Sequence, residues 1–148
     1  MKFTVRNQIA AIWKDKKISY TEFFKQSAMY ASLYADIKPD KVAVFSPNRP
    51  EWIFAFFSIW LNRATAVPID FMSLPGEVAY ILNDSRPEVI FIPQEYVEIF
   101  DKIESELLYP IKVIIFEEIS EDFEKFEALD FEQTDMENTL KLREVLKT

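Results

Sequence analysis

The chain of 148 residues contains no histidine, no cysteine and a single glycine, Gly76. At about 7% usage, an average soluble chain of this length would carry roughly ten glycines. Phosphate-cradling loops need several glycines close together, so neither a dinucleotide fingerprint nor a nucleotide P-loop can be built here. The absence of His and Cys removes Ser-His-Asp and Cys-His triads, thiolate chemistry and the usual zinc ligand sets. Catalysis would have to rest on Asp, Glu, Lys, Tyr, Ser or Thr, and no self-sufficient active site is legible: the sequence nominates no catalytic, cofactor-binding or metal-binding residue. A small carboxylate-based hydrolase fails because no paired acids sit in a recognisable cleft motif. Without cysteine there are no disulfides, which suits a cytoplasmic location. The start, MKFTVRNQIA, lacks the apolar run of about 7–15 residues that marks a secretory signal. The longest apolar stretch, Ile53 to Leu61, falls short of the roughly 20 residues a transmembrane segment needs.

What is present is apolar and acidic. With 49% hydrophobic and 16% aromatic residues the composition is globular, not disordered. The net charge of −8 is concentrated: between Glu117 and Glu137 lie ten acidic residues against one basic residue, Lys125, while the rest of the chain nets +1. No basic patch rises above that neutral background, which argues against nucleic acid as a partner.

Hydrophobic patterning predicts an α/β fold with an open, largely parallel sheet, helices on both faces, and an N-terminal β-hairpin. The hairpin is an apolar run, Ile9 to Trp13, a polar turn over Lys14-Asp15-Lys16-Lys17, and a returning Ile18-Ser19-Tyr20. Ser19 and Glu22 have the spacing of a capping box, and Tyr20, Phe24, Ser27/Ala28, Ala31 and Tyr34 mark one buried helix face. Val42 to Phe45 reads as a buried strand. Asn48 is the expected N-cap of a helix from Glu51 to Asn62, with Pro50 early in its first turn. Aromatic residues at 52, 54, 56, 57 and 60 point around that helix and predict cover on more than one side. Ala64 to Ile69, Val89 to Ile92 and Lys112 to Phe116 read as further buried strands, separated by helices from Ser73-Leu74-Pro75 to Asn83-Asp84-Ser85 and from Gln94 to Leu108. The expected organisation is an α/β unit over 1–116, then an acidic surface segment and short helix over 117–148, the helix lying at Thr139 to Leu146.

Several segments, in consecutive order, resemble the N-terminal part of the AMP-forming acyl-CoA synthetases of the adenylate-forming family. Ser19-Tyr20-Thr21-Glu22-Phe23 is similar to the family's Thr-Tyr-x-Glu-Leu-like helix start. Asn48, Pro50, Glu51 and Trp52 match an Asn-x-x-Glu-Trp-like helix opening, and Val67-Pro68-Ile69 a Val-Pro-like strand end. Leu74, Glu77, Tyr80, Ile81 and Leu82 match a Leu-x-x-Glu-x-x-Tyr-Ile-Leu-like helix. The family has glycines near Ala35-Asp36 and Asn62-Arg63, which supply left-handed helix ends; Asn62 can adopt that conformation too, so the second substitution is tolerable. The resemblance implies a two-step reaction: a carboxylate and ATP give an acyl-adenylate, then the CoA thiol displaces AMP. It implies ATP, Mg and CoA for a full-length parent, a fatty-acid–CoA ligase, and none of them for this chain. The phosphate loop, the aromatic-Gly-x-Thr-Glu segment, the ribose-binding Asp and the catalytic Lys all lie beyond the matching region. An inert N-terminal fragment is therefore expected. Its partner would be the remainder of the ligase chain, with a homodimer through exposed apolar surface as a second expectation. The alternative from another class is a stand-alone, non-catalytic α/β module that binds a protein partner.

Four groups of residues are weighed as sites. Asn48-Arg49 could hold an anion at a helix start, against the plainer reading of a cap and a surface Arg. Trp52, Phe54, Phe56, Phe57 and Trp60 could line an acyl tunnel, against a role as core side chains. Asp122 and Glu124 could hold Mg²⁺ or Ca²⁺, against a solvated acidic surface. Glu117-Glu118 follows the fourth strand of the sheet at its carboxyl end, where open α/β sheets place ligands, against simple loop solvation.

Overall fold

The computed structural model describes residues 9–119. A hairpin of β1 (Ile9–Trp13) and β2 (Lys16–Ser19) precedes α1 (Tyr20–Ser32). Strand and helix then alternate: β3 (Lys41–Phe45), α2 (Pro50–Leu61), β4 (Thr65–Ile69), α3 (Pro75–Ser85), β5 (Val89–Ile92), α4 (Val97–Glu104) and β6 (Lys112–Ile115). The second sheet has the order β4-β3-β5-β6, with every pair parallel. Period-two alternation along its strands feeds two separate cores. Val42, Val44, Val89, Phe91 and Ile114 pack under α1 and α2. Ala43, Phe45, Ile69, Ile90 and Ile92 pack under α3 and α4. The architecture is thus α/β in three layers, helices on both faces of an open parallel sheet, as the patterning predicted.

Small side chains let α1 lie close to the sheet: Ser27, Ala28 and Ala31 are all fully buried. Tyr30 stacks on Phe91, with ring centroids 5.8 Å apart, and Phe91 on Phe116 at 5.9 Å. Ser19 caps α1 by accepting the Glu22 N–H at 3.1 Å, while the Glu22 carboxylate turns to Lys16 Nζ at 3.7 Å and leaves the box half formed. Tyr20 stands exposed at the head of the expected buried face, because it leads into α1 from the hairpin, beyond the sheet. The two helices on this face are tied at their carboxyl ends. The hydroxyls of buried Tyr34 and Ser58 share a 2.8 Å hydrogen bond, and Asn62 Nδ2 donates to the Ala31 carbonyl at 2.9 Å.

Several sequence expectations are corrected. The strand at 65–69 lies at the sheet edge, with Thr65 and Pro68 exposed, and the edge is where a strand tolerates a proline that cannot donate. The long helix expected from Gln94 is a 3-10 turn, Gln94–Tyr96, followed by the shorter α4. Asn62 is not left-handed; the left-handed residue is Arg63, at φ 57°. Lys14, Lys38 and Arg86 take the same conformation, and the single glycine does not. The predicted helix at Thr139 to Leu146 lies outside the described residues. Among them, no helix is long and apolar enough to cross a membrane.

Two predictions follow from this packing. A left-handed residue other than glycine costs about 1–2 kcal/mol, and glycine's extra chain entropy offsets about 0.5–1 of it. Arg63→Gly and Lys38→Gly should each raise stability by roughly 0.5–1 kcal/mol, read as a higher urea midpoint at unchanged slope; a lower midpoint for both would contradict the strain argument. Burial pushes the Tyr34 hydroxyl from its ordinary 10 up to about 12, against hydrogen bonds from Ser58 and Asn62 that pull it down. The folded chain therefore favours the neutral phenol. Its contribution to stability, on the order of 2 kcal/mol, is complete below pH 10 and lost between pH 10 and about 12. Tyr34→Phe should flatten the alkaline decline of the thermal midpoint, leaving the part due to Tyr109, whose hydroxyl burial also pushes to about 12.

Candidate functional site

The sheet order places the reversal of chain direction at β3 and β5: β4 lies on one side of β3, and β5 and β6 on the other. In open α/β sheets the crevice beyond the carboxyl ends of such strands is where ligands are held. Here it is bounded by Ser46-Pro47-Asn48-Arg49 after β3, Pro93-Gln94 after β5 and Phe116-Glu117-Glu118 after β6.

Pro50 sets the local geometry. It occupies the first turn of α2, where its missing N–H is no loss, and it forces the preceding residue to be extended. Arg49 accordingly sits at φ −159°, ψ 163° and takes the cap position that the sequence reading assigned to Asn48, with no side-chain cap bond. Asn48 is exposed. The extended backbone leaves the Arg49 side chain to reach two carboxylates. Its Nε donates to Glu51 Oε2 at 2.8 Å, and Nη1 lies 3.0 Å from Glu117 Oε1. The guanidinium carbon stands 5.3 Å from the centroid of the Phe116 ring.

Glu117 completes a bridge across the crevice. Its second oxygen accepts the backbone N–H of Gln94 at 2.6 Å, so one carboxylate joins the carboxyl ends of β5 and β6 to the start of α2. The reading of Glu117 as simple loop solvation is corrected by these contacts; Glu118 remains exposed. The electrostatics are mutual. The Glu51 hydrogen bond raises the Arg49 pKa against partial burial, and the Glu117 charge adds to the rise. Burial works to raise the Glu51 pKa, but the Arg49 hydrogen bond, a backbone N–H and the nearby cations outweigh it and hold the carboxyl low. With two carboxylates on one guanidinium the cluster carries net negative charge, so Asn48-Arg49 is not poised to take an anion.

The aromatic residues of α2 do not surround a common tunnel. Phe54 is in the core, Trp52 and Phe57 are half-buried, and Phe56 and Trp60 are 44% and 40% exposed. The predicted cover on more than one side is seen, since the sheet lies beneath α2 and α1 packs along one flank, but the opposite flank stays open because the hairpin reaches only the start of α2. Trp52 and Phe56 stack at 5.4 Å along the uncovered flank. Beside them, hairpin and helix enclose an open groove of about 270 Å³ lined by Ala11, Ile12, Trp13, Asn48, Arg49, Pro50, Trp52 and Ile53. Asp122 and Glu124 lie outside the described residues, among which no three His, Cys, Asp or Glu side chains cluster as metal ligands would.

Residues 4–145 match the family of AMP-binding enzymes. Among curated proteins, the 4-hydroxybutyrate–CoA ligase 2 of Metallosphaera sedula is 28% identical over 110 residues, covering 70% of this chain and 20% of that protein. The crotonobetaine/carnitine–CoA ligase of Escherichia coli is 30% identical over 93 residues, 61% of this chain and 18% of that protein. Among solved structures, the anthranilate CoA ligase AuaEII with anthranoyl-AMP superposes at a TM-score of 0.70 with 22% identity, over 78% of this chain and 23% of that one. The O-succinylbenzoate Coenzyme A synthetase of Bacillus subtilis with AMP gives 0.67 with 22% identity, over 80% and 30%. The chain thus spans about a fifth of the length of these two curated relatives.

The Arg49–Glu117 bridge is partly exposed, so its strength should be that of a screened surface pair. A double-mutant cycle with Arg49→Met and Glu117→Gln should give a coupling of about 0.5–1 kcal/mol at low ionic strength, falling towards zero in about 1 M salt. Coupling that persisted in high salt would show that the pair is more enclosed than its geometry indicates.

Proposed function

This chain belongs to the family of AMP-binding enzymes, and on that premise we propose that it forms the N-terminal α/β scaffold of an ATP-dependent, AMP-forming acyl-CoA ligase. The acid of our reading is a fatty acid or a similarly hydrophobic carboxylic acid. The observation that carries the proposal is the family match along residues 4–145 on a fold of the same three-layer plan. Curated relatives named as CoA ligases of 4-hydroxybutyrate, malonate and hydroxybenzoate support the reaction class. The exposed rings of Phe56 and Trp60, beside half-buried Trp52, support the hydrophobic end of the substrate range, since such a flank suits one wall of an acyl-binding region.

The groups that this reaction requires do not fit the residues described. ATP phosphates call for a glycine-rich cradle, and the one glycine stands exposed at the start of α3 with nothing within 4 Å of where its Cβ would be. Mg²⁺ calls for convergent carboxylates; no three acids cluster among the described residues, and Glu51 and Glu117 are already held by Arg49. The chain's own part is therefore to hold the sheet, and through it the crevice edge, in place. Nucleotide, metal and CoA would be bound by other parts of the ligase.

ATP–pyrophosphate exchange tests this in two arms. The chain alone, with ATP, Mg²⁺ and a panel of fatty and aromatic acids, should exchange no pyrophosphate above the blank; exchange would overturn the scaffold reading. Replacing the matched segment of the Metallosphaera sedula ligase by this chain should give a hybrid that still adenylates an acid at a reduced rate. A folded hybrid inert towards every acid would favour a stand-alone interaction module instead.

A further inference from the structure

We propose that the groove between the hairpin and α2 is a docking site for an acidic, phenylalanine-bearing segment, and that its occupant is the chain's own run 121–132, EDFEKFEALDFE. The proposal does not depend on the ligase reading, since groove and segment belong to the same chain.

Chemistry points to such an occupant. The groove walls are apolar, with Ile12 65% exposed, Ile53 40% and Trp13 39%. Its rim is basic at one end. The hairpin turn carries exposed Lys14, Lys16 and Lys17 against Asp15 alone, and the Lys16 pair with Glu22 is long and solvent-screened. The other end of the groove, at Arg49, carries net negative charge because Glu51 and Glu117 both hold that guanidinium, so the carboxylates of a ligand belong at the turn. A fitting ligand therefore brings aromatic side chains for the walls and carboxylates for the rim. The run 121–132 has Phe123, Phe126 and Phe131 among six acidic residues and one lysine.

Position points to the same occupant. Arg49 both lines the groove and holds Glu117 at 3.0 Å, so the chain leaves the sheet directly beside the site. Ile119, half-buried, packs on the α1/α2 side, the side on which Ala11 and Trp52 also lie. Residue 121 is four residues beyond Glu117, a reach of about 14 Å at most when extended. A tether this short gives an effective concentration of about a millimolar or more, so a weak individual fit suffices for docking within one chain.

Zero-length carbodiimide coupling of the full chain, followed by peptide mapping, tests the proposal. The expected result is amide links from Lys14, Lys16 or Lys17 to acids of 121–132 within one chain, at a yield independent of protein concentration. Ile12→Asp, at an exposed position the fold tolerates, and Phe123→Ser with Phe126→Ser should each lower that yield about tenfold, equivalent to about 1.4 kcal/mol, with the helical circular dichroism unchanged. Links that form only between chains would make a second copy the occupant and overturn the intramolecular assignment. Links insensitive to both substitutions would show a charge contact without the groove and overturn the site. No links from the turn to 121–132 would overturn the proposal outright.

Discussion

Strand β5 places four consecutive side chains, Val89 to Ile92, in full burial, none more than 1% exposed. Val89 and Phe91 enter one core, Ile90 and Ile92 the other, so both helix layers rest on the same four residues. A strand buried on both faces has no polar face to spare and must be flanked by paired neighbours. β3 and β6 supply that pairing in parallel register. The parallel direction in turn requires a helix between each pair of strands, and those helices cover the two faces. Phe91 extends the constraint sideways: Tyr30 of α1 and Phe116 after β6 stack on it, and Tyr34 meets it edge-on at 5.6 Å. Position 91 therefore fixes where α1 lies and where the chain turns after the last strand.

A chain so poor in glycine must end its helices by other means. Lys38, Arg63 and Arg86 follow helical turns in the left-handed conformation, and at the end of α3 the Arg86 Nε also donates to the Asn83 carbonyl at 3.3 Å. Attraction to the negative end of the helix dipole, about 0.3–1 kcal/mol, offsets part of the steric cost that glycine would avoid. The same economy of side chains appears at Glu88, whose carboxylate accepts the backbone N–H of Asp40 and of Lys41 at 3.3 and 3.0 Å and so secures the start of β3 from the start of β5.

The parts of the fold that could be read from sequence are those fixed by local pattern. Val42 to Phe45 and Val89 to Ile92 are unbroken apolar runs between breakers, and both are central strands. Leu74-x-x-Glu77 marks a helix start because Glu77 reaches back to the Leu74 N–H at 2.9 Å, a contact contained within four residues. Failures occurred where a distant group decides. Asn48 has the composition of a cap, but Pro50 shifts the helix start so that the residue before the proline takes that place. Phe56 and Trp60 have the composition of core, and their exposure depends on which flank of α2 the other helices cover. Glu117 read as one more acid in an acidic run; its partners Arg49 and Gln94 are 68 and 23 residues away in sequence, a separation that no periodicity encodes. The one local signal was its place immediately after a strand at the carboxyl edge.

That edge also shows what the described residues would contribute to the proposed ligase. The crevice at a reversal of strand order exists because neighbouring connections leave the sheet in opposite directions, and its shape is set by backbone that this chain supplies. Arg49, Glu51 and Glu117 hold three of those exits together with a single guanidinium at their centre. In the proposed ligase, reactive groups carried on other elements would inherit their spacing from this edge, because catalysis is sensitive to misplacement of about 1 Å. A partly exposed ion pair adds little to global stability. Its position, joining β3, β5 and β6 where they point at the crevice, gives it more influence over geometry than over folding energy.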